Sequence, residues 1–124
     1  MLPAFFAPPA LLLPSCVSPA SIISEWQSYS AKTYIYISFN IDMDTSVEPD
    51  AEDFDITMNG GVGEPGSYSE NWENNRLFRI TCRNWLESPN SVDFALAASQ
   101  ANFKSATGNL VCPIDETNIP ITEE

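Results

Sequence analysis

The chain has 124 residues, with 17 Asp plus Glu against 5 Lys plus Arg, three cysteines and no histidine. That length suits one domain able to bury a core without cross-links, and a net charge of −12 disfavours nucleic acid and anionic membrane surfaces as partners. Without histidine, the Ser-His-Asp and Cys-His arrangements, histidine metal sites and ordinary proton shuttling near neutral pH are excluded, so catalysis is not expected.

Residues 1–19 are apolar and rich in proline. Leu2, Phe5, Phe6, Leu11, Leu12 and Leu13 alternate with Pro3, Pro8, Pro9 and Pro14. No cation follows Met1, and the prolines break the continuous apolar helix that an export signal or a bilayer span requires. The expectation is an extended arm of polyproline character, which loses little entropy when it lies down on a surface. That surface is either a partner or the chain's own domain. Leu13, Pro14, Ser15 and Cys16 also have a loose likeness to a lipoprotein cleavage site.

Residues 21–26 read as a first strand, and residues 27–32 as a polar turn. Ile35, Ile37 and Phe39 then alternate with Tyr34, Tyr36 and Ser38, the period of a half-buried strand. After an acidic loop over residues 42–53, Phe54, Ile56 and Met58 alternate with Asp55 and Thr57. The glycines and proline of residues 60–66 break regular structure, and residues 67–75 are a polar loop or short edge strand carrying Tyr68 and Trp72. Residues 76–82 form the next strand, with Phe78, Ile80 and Cys82 on one face. Residues 84–89 are a turn or a single helical turn, and residues 91–96 place Val92, Phe94 and Leu96 inward. Residues 97–102 are a loop, residues 109–114 a closing strand, and residues 115–124 a polar tail. This is an all-β pattern fitting a two-sheet antiparallel sandwich over residues 20–114.

The stretch of Ser38, Phe39 and Asn40 with Met43 and Asp44, followed by residues 53–60, resembles the Ig-like repeats of bacterial surface proteins and phage virion proteins. The entry to the 91–96 strand and residues 102–111 look like later parts of the same repeat, and the likeness covers about residues 18–114. It implies an Ig-like antiparallel sandwich that holds, displays or binds. The Cys-Trp-Cys spacing of the Ig disulfide is absent. The function implied is a non-enzymatic structural protein: a virion accessory of capsid, neck or tail, tied by its N-terminal arm to protein subunits of a multi-copy assembly. The alternative is a secreted or lipid-anchored bacterial surface adhesin that binds carbohydrate, with Cys16 as the anchor.

On the strands, Tyr34 and Tyr36 lie opposite Ile35 and Ile37 and are expected at an interface, while Trp26 and Trp85 are expected in the core. Arg76, Arg79 and Arg83 sit in one short segment, and Arg79 is the cation assigned to the contact. The acidic loop offers Asp42, Asp44, Asp50 and Asp53 as calcium ligands, but it has no central glycine and Pro49 interrupts it, so a solvated acidic loop is preferred and no cofactor is expected. Without Cys-x-x-Cys spacing zinc is not expected. Cys82 and Cys112 are expected as buried reduced thiols, although facing strands would bring them within bridging range.

Overall fold

The computed structural model describes residues 16–60, 67–83 and 89–123. Its strands form where apolar residues recur at every second position. Ile35 and Ile37 are fully buried in β2 (Lys32–Ser38), as are Phe78, Ile80 and Cys82 in β5 (Leu77–Arg83) and Val92 and Leu96 in β6 (Ser91–Leu96). The remaining strands are β1 (Ser21–Gln27), β3 (Asp55–Asn59), β4 (Ser67–Asn74) and β7 (Ile114–Glu123). Antiparallel pairing stacks the buried positions across strands: Ile22 faces Ile37, which faces Phe78, which faces Trp72. Two rungs along the same face, beyond the row of Ser24, Ile35, Ile80 and Glu70, Trp26, Thr33, Cys82 and Tyr68 stand in the same relation.

The strands form one seven-stranded sheet in the order β3-β6-β7-β1-β2-β5-β4. All pairings are antiparallel except β1 with β7, which run parallel over Ser24–Trp26 and residues 121–123. The sheet curls on itself. Phe54, just ahead of β3, stacks on Phe94 of β6 at 5.0 Å between centroids and also reaches Phe78 of β5 at 6.5 Å. Phe103 fills the space between: fully buried, it contacts Phe39, Phe54, Trp72 and Phe78. Gly60 follows β3 with φ +78°, a conformation that L side chains rarely adopt, so the turn favours glycine there; a Cβ would also press on the end of the Asn90 side chain.

Several expectations need correction. The closing strand is not residues 109–114 with a polar tail behind it: β7 runs from Ile114 to Glu123, through the expected tail. Ile114 and Ile119 are both buried although five residues apart, because a bulge opposite Val92 and Phe94 inserts one residue, with Asn118 at φ 56° and its N–H donating to Asp93 Oδ1 at 2.8 Å. Pro120 lies at the changeover, where β7 leaves β6 and begins to pair with β1, so its missing donor weakens neither ladder's centre. Residues 67–74 are an eight-residue edge strand.

Cys112 is not a reduced thiol but is bonded to Cys16, with Cα atoms 4.9 Å apart. Cys82 alone among the three is free, and it is buried. The expected boundary of the arm also moves, since Val17 bridges Val111 in parallel and its N–H and C=O bond to Leu110 O and Cys112 N at 2.8 Å each. Residues 16–18 therefore belong to the folded body. Trp85, within the expected turn at residues 84–89, lies outside the described residues.

Candidate functional site

Strand alternation gives β1, β2, β5 and β4 an outer face that carries polar and aromatic side chains in transverse rows. Ile23, Tyr36, Arg79 and Asn71 make one row, and Glu25, Tyr34, Thr81 and Ser69 the next. Lys32 and Arg83 face each other one rung further on. Three of the five cations thus stand on the outer face of two neighbouring strands, whereas Arg76 pairs with Asp42 at 2.9 Å beyond the end of β4.

Arg79 organises this face. Its guanidinium carbon lies 5.1 Å from the Tyr34 ring centroid, Nη2 donates to Asn71 Oδ1 at 3.2 Å, and Nη1 is 3.6 Å from Glu73 Oε1. Tyr34 is consequently 8% exposed, with its hydroxyl donating to Gln27 Oε1 at 3.0 Å. Tyr36 is half-buried beside it, 6.0 Å away between centroids. Burial, and then the Glu25 carboxylate, push the Tyr36 phenol above its ordinary value, while Arg79 opposes them. The apolar surface that this face leaves open to solvent is therefore Tyr36 with Ile23, which is 50% exposed, and not the ring of Tyr34. Nothing in the β1 sequence alone marks Ile23 as an outward residue, because Ile22 beside it is apolar too.

A second candidate is the base of the N-terminal segment. Leu2, Phe5, Phe6, Leu11, Leu12 and Leu13 lie outside the described residues, but the point from which that segment departs is held by the Cys16–Cys112 disulfide and the Val17–Val111 bridge. Ser18 Oγ donates to Cys112 Sγ at 3.6 Å. Leu110, beside this junction, is 38% exposed. The pairing of Cys16 with Cys112 left no local sequence signal, since the two are 96 positions apart.

The acidic loop is divided. Asp42 is tied to Arg76, and Asp44 accepts from the hydroxyl and N–H of Ser46, which hold its carboxyl below the usual range. Asp50 caps the single 3-10 turn, Ala51–Asp53, by accepting from Glu52 N at 3.0 Å. Asp50 and Asp53 line an open cavity of about 370 Å³ with Glu48, Glu70, Gln100 and Asn102, and Glu70 Oε1 accepts from Ala51 N at 3.2 Å. This depression is suited to positive groups, yet among the described residues no set of three or more His, Cys, Asp or Glu has the arrangement of a metal site.

No helix among the described residues is long and apolar enough to cross a membrane. No family model matches the chain, and no curated protein or solved structure shows significant similarity to it.

Proposed function

We propose that this chain is a non-enzymatic structural and interaction module with Ig-like sandwich topology, a phage virion accessory that docks on neighbouring protein subunits through its N-terminal segment. The observation that carries the reading is the clamp at Cys16–Cys112, which fastens the root of an apolar, proline-rich segment to the chain two residues ahead of β7. Such an anchorage gives the segment a fixed point of departure. Two further observations support the reading. The strand order groups β1, β2, β5 and β4 on one side and β3, β6 and β7 on the other, the same partition as the seven strands of a constant-type Ig domain. A disulfide also persists in oxidising surroundings, which include virion and cell surfaces. The surface-adhesin reading shares that second support, but its lipid-anchored form would need the Cys16 sulfur that the disulfide occupies.

The test is sedimentation of particles from the native source. The intact chain is expected to band with assembled particles, and a chain lacking residues 1–15, which keeps Cys16, is expected to stay free while melting at a similar temperature. Particle binding undiminished by the deletion would move the contact to the Tyr36 and Ile23 face. Recovery of the intact chain only in a soluble secreted fraction would overturn the virion reading.

A further inference from the structure

Cys16 and Cys112 are joined across a sequence separation of 96, and β7 starts at Ile114. The shortest covalent route from any group attached ahead of Cys16 to the end of β7 therefore crosses the disulfide and follows residues 112–123. Strands β1 to β6 lie off that route, as does every buried core residue except Ile114 and Ile119.

From this we infer that the fold is a force-bypassed tether: tension between the N-terminal segment and the end of β7 passes through one strand, and the rest of the domain cannot be drawn out. Force favours unfolding only in proportion to the length that unfolding releases. A strand already rises about 3.4 Å per residue, against a limit of about 3.6 Å for an extended chain, so the ten residues of β7 hold almost no slack. Their one irregularity is the bulge at Asn118. Antiparallel pairing to β6 over residues 114–120 and parallel pairing to β1 over residues 121–123 hold this strand extended, and because β1 and β6 lie off the route those ladders carry none of the tension. Cys16 is exposed and Cys112 half-buried, which leaves the bypass open to thiol reductants.

The use of this property rests on the reading of the N-terminal segment as an attachment, but the property itself does not, and its test needs no partner. The full chain, with handles at both termini, is stretched in an optical trap before and after dithiothreitol. The reductant is oxidised to its cyclic disulfide and leaves thiols on Cys16 and Cys112. The oxidised chain is expected to show no unfolding step beyond about 10 Å. Reduction brings residues 17–111 into the route, so that 96 Cα–Cα steps replace the 4.9 Å crossing, a lengthening of roughly 330 Å at about 3.5 Å per step. Cys82→Ala keeps the short response, and Cys16→Ser gives the long one without reductant. If Cys16→Ser does not fold, the wild-type chain reduced under tension gives the same reading, because the added contour length is independent of residual structure. A long step in the oxidised chain, or an unchanged length once three thiols per chain have been titrated, would overturn the bypass. Particle binding undiminished by the deletion, or no particle binding by the intact chain, would leave it standing.

Discussion

Arg79 lies across the ring of Tyr34, with the guanidinium carbon 5.1 Å from the ring centroid, and in that position it both seals the tyrosine from water and sets the charge beside Tyr36. A cation over an aromatic face contributes about 0.5–2 kcal/mol, more as the pair is desolvated.

We predict that Arg79→Ala lowers stability by about 1–2 kcal/mol, from the lost stacking and the lost packing of the side-chain stem. Arg79→Lys recovers only part, since an ammonium cannot hold the fork to Asn71 and Glu73. Because Arg79 lowers the Tyr36 pKa against burial and Glu25, its removal moves that pKa further up. Urea unfolding reads the first effect and phenolate absorbance the second. A Tyr36 titration that moves down, or does not move, would contradict the arrangement.

The disulfide is expected to leave one titratable thiol per chain after denaturation without reductant, and three with it. Cross-links closing long loops contribute about 2–5 kcal/mol, chiefly by restricting the unfolded chain. Reduction should therefore lower the melting temperature of the wild type while leaving Cys16→Ser unaffected. Three thiols without reductant would remove the basis of this prediction.

Burial pushes the Cys82 thiol up to about 12 from an ordinary value of 9.0. The folded state keeps this proton when the unfolded state has released it. Stability associated with Cys82 is thus fully present below pH 9 and declines as pH rises toward 12, by roughly 1.4 kcal/mol per unit. Cys82→Ala, compared with wild type by urea unfolding at several pH values, should flatten the alkaline slope. In the native protein near pH 8 the same thiol should be inert to a disulfide reagent. Rapid labelling under those conditions would show that Cys82 is reached by solvent.

Phe103 meets four aromatic rings, those of Phe39, Phe54, Trp72 and Phe78, from a loop position. Phe103→Ala is expected to cost about 3–5 kcal/mol, as the ring's burial is lost and the surrounding rings close the cavity only in part. Urea unfolding measures this, and a loss below about 1 kcal/mol would mean that the loop is not packed against the sheet.

Which side chains face inward was legible in the strands. The burial of Phe78, Ile80 and Cys82, and of Val92, Phe94 and Leu96, follows from spacing by two in an extended chain. Phe103 could not be found that way, since a loop has no period. The arm's expected boundary failed for a related reason: Val17 and Cys16 look like a continuation of the apolar segment, and only their contacts with Val111 and Cys112 join them to the body. Of the expected contact residues on the outer face, Tyr36 and Arg79 stand together on one row, whereas Tyr34 lies in the next row beneath the guanidinium.

By itself the sequence determined an all-β chain and the inward faces of its regular strands, because alternation is a property of consecutive residues and needs no knowledge of the rest of the molecule. Only the tertiary structure decided the parallel pairing of β1 with β7, the course of β7 through residues that read as a tail, and the joining of Cys16 to Cys112. Each of these depends on which distant segments meet. In β7 a single inserted residue shifts the alternation by one, so Ile114 and Ile119 both point inward at a spacing that local periodicity assigns to opposite faces.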